Sequence, residues 1–271
     1  MFRRQTGSGS SLPRTARAIG RRRSALSALA VVAALAAPAA AHAQDGFLLG
    51  KPDGSLAIRA GYGRARAGSD IFTDPSTTGA LSLTKSDFSG PAIEADLGVR
   101  ITDRLDFVLG SAYTGRRVGS HYRDVTETVG NNPNAEIEQT TTFQRVPVTG
   151  SLKMYLAPRG RSVGKFAWIP SRVSPYVGGG GGFIWYRFRQ EGDFVDFSAN
   201  DRIFTATFES SGWSGEAHAF AGVDYTITPR LALTAESRYI WGRSGLASDF
   251  SGFNPIDLSG IGVTAGLSVR F

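Results

Sequence analysis

The chain has 271 residues, 41% of them hydrophobic, and no cysteine. This length allows one or two domains with a packed core, and the absence of cysteine excludes disulfide scaffolds, thiolate zinc sites and thiol catalysis. The formal net charge is +7, but seven of the 30 basic residues precede Asp45, and the 23 that follow equal the 23 acidic residues in number. The mature chain is therefore formally neutral and lacks the basic surface that nucleic acid requires, so no nucleic-acid partner is expected.

Residues 1–43 have the pattern of a secretory signal peptide. Three arginines at 21–23 precede an apolar run over 25–41, which ends in the small-residue motif Ala41-His42-Ala43. We expect Sec-type export and cleavage between Ala43 and Gln44. A membrane anchor is the alternative, but the run is short for a span of roughly 20 residues.

The mature chain, 44–271, has the pattern of a membrane barrel. No stretch approaches the roughly 18 continuous apolar residues of a transmembrane helix, so a membrane-embedded chain has to cross with strands. Barrel strands alternate apolar, lipid-facing residues with small or polar, lumen-facing ones. Eight segments alternate in this way: 55–66, 91–101, 105–113, 146–156, 175–189, 213–227, 231–241 and 260–271. We predict an all-β, closed antiparallel up-and-down transmembrane barrel with periplasmic termini and eight strands, ten being the alternative.

The connections between these segments alternate in length. The turns at 102–104 and 228–230 are short. The long polar links are expected to be outer loops, and they cover 67–90, 123–138, 190–211 and 244–259. A turn signal at 130–134 and alternation over 204–208 also allow strands three to six to extend above the bilayer. The link 158–174 is expected on the periplasmic side although it is long.

Twelve charged residues fall on the lumen face of the predicted strands. An eight-stranded barrel is filled by its own side chains, so these charges are predicted to neutralise one another as a structural network. A permeation or catalytic site is the alternative. The twelve are Arg59, Glu94, Asp96, Arg100, Asp106, Arg145, Lys153, Arg187, Glu216, Asp224, Glu236 and Arg238.

Three further features have structural explanations. The glycine run 178–182 lacks the Lys-Ser/Thr of a phosphate loop and is expected to allow tight curvature and close packing in a strand. His218 has no serine partner in register and is expected to join the charge network. No metal or cofactor is predicted, because histidine clusters are missing. Aromatic residues near strand ends are expected to form girdles, and they are Tyr62, Tyr113, Trp185, Tyr186, Trp213, Tyr225, Tyr239 and Trp241.

A resemblance to a known family rests on three motifs. They are the C-terminal Thr264-x-Gly266-x-x-Val269-x-Phe271, the hairpin 227–231 and the strand start 175–179. The sequence resembles the small eight-stranded outer-membrane barrels of the OmpA, OmpW and opacity-protein type. That resemblance implies recognition of the C-terminal motif by the barrel-assembly machinery, periplasmic chaperones as partners, and a location among outer-membrane lipids and lipopolysaccharide.

The same resemblance frames the expected function. Some members stabilise the envelope or bind surfaces through their loops, and OmpW-like members are associated with passage of small hydrophobic molecules. Lipid A deacylases carry a His-x-Ser motif, but here Ala219 and Phe220 follow His218. We therefore expect a non-enzymatic envelope protein with a plugged lumen and recognising loops, its surface ligand unidentified. The alternatives are an OmpW-like conduit and, less favoured because the outward faces are apolar, a soluble lipocalin-like barrel.

Overall fold

The computed structural model describes residues 47–74, 78–129, 132–164, 166–196 and 202–271. The predicted signal peptide, with its cleavage position at Ala43 and Gln44, lies outside the described residues. Eight long strands form the body of the protein. They are β1 (Gly54–Ala65), β2 (Gly90–Arg100), β3 (Leu105–Val129), β4 (Asn132–Tyr155), β5 (Val173–Asp196), β6 (Arg202–Thr226), β7 (Leu231–Ser244) and β8 (Gly260–Arg270).

Each strand pairs antiparallel with the next along the chain, and β8 pairs with β1, so the eight strands close into a ring. The closing register runs from Gly260↔Ala65 to Arg270↔Ser55. Beyond it, the amide of Gly54 donates to the Phe271 carbonyl oxygen at 2.9 Å, and the amide of Phe271 donates to Gly54 at 3.0 Å. The prediction of a closed up-and-down barrel with eight strands is confirmed.

Period-two alternation sorts the side chains of these strands into an inner and an outer face. In β2, Ile93, Leu97 and Val99 are exposed, whereas Glu94 and Asp96 between them are buried. The other strands have a similar band of exposed large apolar residues. It includes Ile58, Leu109, Val148, Leu152, Met154, Phe183, Trp213, Val223, Leu233, Trp241, Ile261, Val263 and Leu267. The fold is therefore polar inside and apolar outside.

The strands differ in length, so the barrel has an uneven rim. β3 to β6 each contain 24 or 25 residues, whereas β1, β2 and β8 contain 11 or 12. At about 3.3 Å per residue, the longer strands exceed the shorter ones by about 40 Å in length along the strand. Most of 123–138 and 190–211 belongs to these strands, so the prediction of loops there is wrong, while the predicted extension of strands three to six is present. We call the end of the barrel at which β3 to β6 extend the hairpin end, and we call the opposite end the turn end.

The two remaining long links fold back over the lumen at the hairpin end. They carry short 3-10 helices at Asp70–Phe72, Lys85–Phe88 and Ser248–Phe250, and a two-residue strand, Ile256–Asp257, that pairs with β7. Their apolar side chains pack against inward residues of β4 and β5 in one apolar cluster. Its buried members include Ile71, Phe72, Leu81, Phe88, Ile137, Phe143, Ile184, Phe188, Phe250, Ile256 and Leu258. The links 67–90 and 244–259, predicted as loops, therefore pack inward over the lumen.

The turn end is covered by a second, small sheet. The link after β4 forms the strands Gly160–Val163 and Ala167–Pro170, and the second of these also pairs with Leu48–Leu49 before β1. Trp168 in this sheet is buried. The 158–174 link is long because it forms two strands of this sheet, which covers the lumen. No helix among the described residues is long and apolar enough to span a membrane.

Candidate functional site in the barrel lumen

The inward residues of β4 give the order of groups along the lumen. From the turn end they are Tyr155, Lys153, Ser151, Thr149, Pro147, Arg145, Phe143, Thr141 and Gln139. The lumen therefore changes from a charged lower part, through a hydrogen-bonded middle, to the apolar cluster at the hairpin end.

The main charge cluster is centred on Arg59 of β1, which is 2% exposed. Its guanidinium lies 2.9 Å from Glu94, 2.6 Å from Asp96 and 3.2 Å from Glu236. Arg238 adds contacts of 2.8 Å to Glu236 and 3.3 Å to Asp96. Five of the twelve predicted charges thus form one cluster that ties β1, β2 and β7 together.

Neutral hydroxyl groups complete this cluster. Thr264 Oγ1 donates to Glu94 at 3.0 Å, and Arg59 Nε donates back to the same hydroxyl at 3.3 Å. The Tyr176 hydroxyl, from the opposite side of the ring, donates to Glu236 at 3.0 Å. Thr264, predicted as part of an assembly motif, therefore also holds the lumen cluster. Buried carboxylates need such full hydrogen bonding to be tolerated in a dry interior.

Two smaller ion pairs lie nearer the turn end. Lys153 Nζ lies 3.4 Å from Asp224 and 3.6 Å from the centre of the Tyr176 ring, and the Tyr155 hydroxyl donates to Asp224 at 2.9 Å. Asp106 pairs with Arg159 at 2.7 Å. Arg159 comes from the 158–174 link, outside every alternating segment, so strand periodicity gave no signal for it.

Four of the predicted lumen charges lie outside these ion pairs, and three of them are Arg145, Arg100 and Glu216. Arg145 donates to the carbonyl oxygens of Leu258 and Ser259 at 2.9 and 3.3 Å and so holds the link before β8. Arg100 lies at the turn end, with its guanidinium carbon 6.0 Å from the centre of the Trp168 ring. Glu216 pairs with His218.

The predictions for Arg187 and Tyr186 are wrong, and both errors come from one strand. β5 carries aromatic residues on both faces, so its period did not show which face is inside. In the structure Tyr186 is buried, with 1% exposure. Arg187 lies on the outer face, where it pairs with Glu209 at 3.0 Å. Arg187 therefore does not belong to the lumen network, and Tyr186 does not belong to an outer girdle.

A Ser–His–Glu arrangement occupies the middle of the lumen. Ser151 Oγ lies 2.7 Å from His218 Nε2, and His218 Nδ1 lies 3.0 Å from Glu216. The expectation that His218 lacks a serine partner is wrong, because the partner is two strands away. Ser151 and His218 both pair with Gly180 of β5, and this glycine leaves the gap that their side chains bridge.

The glycine run explains how such bulky groups fit. A methyl group on Gly180 would collide with the Gly150 carbonyl oxygen, and one on Gly178 would collide with the Phe220 ring. The inward positions of β5 are therefore empty of side chains at 178, 180 and 182, where β6 places Phe220, His218 and Glu216 opposite them. This close packing is the role expected of the run.

The arrangement is sealed from solvent. The side chains of His218 and Glu216 are fully buried, and Ser151 is 3% exposed. Cavities inside the lumen measure about 10 and 30 Å³, and neither is lined by Ser151. Such volumes hold one or two water molecules and no organic substrate. Over the described residues, no group of three or more His, Asp or Glu side chains is placed to hold a metal ion.

The remaining residues of the predicted assembly motif lie where β8 closes the ring. Gly266 pairs with Arg59, and a methyl group there would collide with the Ile58 carbonyl oxygen. Phe271 is 62% exposed.

On the turn-end surface, Lys51 donates to Asp103 at 2.8 Å, and this hydrogen bond lowers the pKa of the Asp103 carboxyl.

A family model supports the same architecture, and several solved structures are similar to the chain. A family model described as "Outer membrane protein beta-barrel domain" matches residues 27–271. Among solved structures, the chain is similar to Neisserial surface protein A, with 16% identity over 84% of this chain and 98% of that one, at a TM-score of 0.42. It is also similar to OprG from Pseudomonas aeruginosa, with 14% identity over 83% and 99% and a TM-score of 0.40. A third is Ail of Yersinia pestis, with 14% identity over 81% and 99% and a TM-score of 0.38. No curated protein matches the sequence.

Proposed function

Because this chain belongs to the outer membrane protein β-barrel family, we propose that it is a non-enzymatic outer-membrane protein whose lumen is plugged and whose hairpin end recognises surfaces or supports the envelope. One observation carries the proposal: the lumen is filled along its length. The small sheet covers the turn end, the Arg59 cluster fills the centre, and the apolar cluster fills the hairpin end. A filled lumen leaves the exposed hairpins as the part available for recognition.

The absence of an enzymatic role is proposed from the Ser–His–Glu arrangement itself. Nucleophilic catalysis requires a site where a reacting carbonyl reaches both the serine and an oxyanion hole. Ser151 is 3% exposed, and it lines neither the 10 Å³ nor the 30 Å³ cavity of the lumen. We assign the three residues a packing and hydrogen-bonding role.

Proposed partners follow from the outer face and the termini. The exposed apolar band would contact outer-membrane lipids and lipopolysaccharide. The motif of Thr264, Gly266, Val269 and Phe271 would be read by the barrel-assembly machinery, after Sec-type export with periplasmic chaperones and cleavage at Ala43. The turn end, where β1 begins and β8 ends, would then face the periplasm.

A conductance measurement tests the plugged lumen. The purified barrel is inserted into planar lipid bilayers, and we expect no stepwise current, because no continuous water path crosses the Arg59 cluster. A stable open channel would refute the plug. Orientation is tested by cysteine labelling, since the chain has no cysteine of its own. A membrane-impermeant maleimide applied to intact cells should label Thr207→Cys at the hairpin end and spare Arg104→Cys at the turn end.

An OmpW-like conduit for small apolar solutes is the second candidate, and the apolar cluster at the hairpin end favours it. Phe72, Phe143 and Phe188 pack there with ring centroids 5.6 to 6.2 Å apart. Displacement of the two covering links would open a pocket lined mainly by apolar side chains. Uptake of radiolabelled naphthalene by cells making the protein, compared with cells lacking it, separates the candidates: faster uptake supports the conduit, and equal uptake supports the plug.

A further inference from the structure

A recess of about 310 Å³ opens at the turn end of the barrel. Its walls come from the end of β2 with the turn that follows, from the link after β4, and from the chain just before β1. Four of its lining residues are Lys or Arg, and one is Asp. None of the residues that line it belongs to the exposed apolar band, so the recess is separate from the lipid-facing surface.

Two of the four cations in the recess are neutralised by acidic neighbours. Lys51 Nζ lies 2.8 Å from Asp103. Arg159 lies 2.7 Å from Asp106, and its other two nitrogens donate to the carbonyl oxygens of Thr102 and Asp103 at 3.2 and 3.4 Å. These contacts account for the charge of both side chains, which therefore build the recess and add little to its net charge.

The other two cations, Arg100 and Arg104, are free to bind a ligand. Over the described residues, neither guanidinium has an ion pair or a side-chain hydrogen bond, and Arg100 Nε is shielded from solvent without an acceptor. Arg100 is half-buried beside Trp168, and Arg104 is exposed. Asp53 lines the adjoining 10 Å³ cavity with Arg100, but it does not line the recess, and it offsets only part of this charge. The recess therefore keeps a net positive charge on donors that a solute can reach.

A hydroxyl group on the small sheet is a second and independent donor to the recess. Ser162 pairs with Trp168, and directly opposed residues of an antiparallel pair have their side chains on the same face of a sheet. Trp168 lies against Arg100 on that face, so the Ser162 side chain is directed toward the recess that it lines. Ser162 is exposed, and its hydroxyl has no hydrogen-bond partner among the groups that the structure describes.

We propose that this recess binds a phosphate group, carried by inorganic phosphate or by a small soluble phosphate monoester. The planar fork of arginine matches phosphate oxygens in bidentate pairs. A phosphate monoester has three strong acceptor oxygens, enough for two guanidinium groups and one hydroxyl at once. A carboxylate has only two oxygens, and a single guanidinium matches both of them.

The headgroup of an anionic phospholipid carries the same phosphate chemistry. The recess lies apart from the apolar band, and this position favours a soluble phosphate as the source. The inference goes beyond the recognition proposed for the hairpin end, since it concerns the opposite end of the barrel and shares no residue with it.

Titration of inorganic phosphate into the folded protein in uncharged detergent micelles tests the proposal by NMR. The chain has four tryptophans, and Trp168 is the one that lines the recess. Its indole N–H resonance, assigned with Trp168→Phe, therefore reports on this site. We expect a saturable shift of that resonance, while the resonances of the other three tryptophans stay in place.

The variants compare two arginines at equivalent positions of two turns. Arg104→Gln changes an exposed side chain and should weaken phosphate binding about tenfold or more, as expected for a lost charge-assisted hydrogen bond. Arg230 has the same place in the 227–231 motif as Arg104 has in 101–105, but it does not line the recess. Arg230→Gln is therefore the matched control and should stay within about twofold of wild type, since a distant surface charge is largely screened.

Four outcomes would overturn the proposal. The first is no saturable shift, and the second is equal weakening by Arg104→Gln and Arg230→Gln, which would indicate attraction to the charge of the whole turn end. The third is equal affinity for acetate at the same ionic strength. The fourth is a Trp168 shift in nanodiscs containing phosphatidylglycerol that inorganic phosphate does not produce, which would make a lipid headgroup the ligand. Gel mobility without boiling shows that each variant is folded. Failure here leaves the cysteine-labelling result for the hairpin end untouched.

Discussion

Replacement of Arg59 by methionine tests whether the central charge cluster holds the barrel together. The substitution keeps the volume of the stem but leaves Glu94, Asp96 and Glu236 without the cation that lies within 3.2 Å of all three. Arg238 still compensates two of these carboxylates, but Glu94 loses its ion partner. Removing one member of a buried ion pair costs about 3–5 kcal/mol, so we expect a loss in that range.

The assay is urea unfolding of the barrel in lipid vesicles, followed by tryptophan fluorescence and by gel mobility without boiling. With a slope of about 2 kcal/mol/M, a loss of 4 kcal/mol lowers the midpoint by about 2 M. Arg64→Met, an exposed arginine on the same strand, should change stability by no more than about 0.5 kcal/mol. Adding Glu94→Gln to Arg59→Met should restore about 1–2 kcal/mol, because it removes the stranded charge. If Arg59→Met matches Arg64→Met, the cluster does not stabilise the fold.

Three other perturbations test separate parts of the structure. Gly180→Ala should lower the free energy of unfolding by about 2 kcal/mol or more, because the new methyl group meets the Gly150 carbonyl oxygen. Gly215→Ala, which has open space around it, serves as the matched control in the same urea assay. Wild type, Ser151→Ala and buffer alone should give the same rate of p-nitrophenyl acetate hydrolysis. Hydrolysis that is faster with wild type than with the variant would contradict the packing role. Asp70→Ala removes the carboxylate that accepts three hydrogen bonds of 2.9 to 3.2 Å from the backbone and side chain of Asn254. Hydrogen exchange over 246–258 should accelerate while the global unfolding midpoint stays nearly constant, and unchanged exchange would show that this contact does not hold the link.

Strand periodicity predicted the parts of the fold that depend on neighbouring residues. The alternation over 91–101 fixes which side chains of β2 point inward, because a one-residue slip would put Glu94 and Asp96 into lipid. The same logic placed Arg59, Glu236 and Arg238 on the inner face. The assignment of faces failed for β5, because aromatic residues occupy both faces of that strand and its glycines do not distinguish an inner from an outer face.

The parts of the fold and of the lumen that strand periodicity did not predict depend on contacts between distant segments, which periodicity does not encode. Arg159 and Trp168 reach the lumen from a link with no alternation of its own. Ser151 and His218 meet only because Gly180 lies between them in the sheet, a relation that requires the register of three strands. The burial of Phe72, Phe88 and Phe250 was likewise unpredictable from composition alone, because polar, glycine-rich links are normally surface loops.

The pairing of β1 with β8 has a consequence for how the protein folds. Residues that are hydrogen-bonded there lie about 200 positions apart in the chain, for example Arg59 and Gly266. Closing a loop of that length costs about 3–4 kcal/mol more entropy than closing a four-residue hairpin, and this cost precedes any reward from the contacts it permits. β8 comes last of the eight strands in chain order and is the one that pairs with β1, so the ring cannot be completed before all eight strands have been synthesised. Until then β1 keeps an unsatisfied edge, and the time spent in that state, rather than the stability of the finished barrel, sets the exposure of the protein to aggregation.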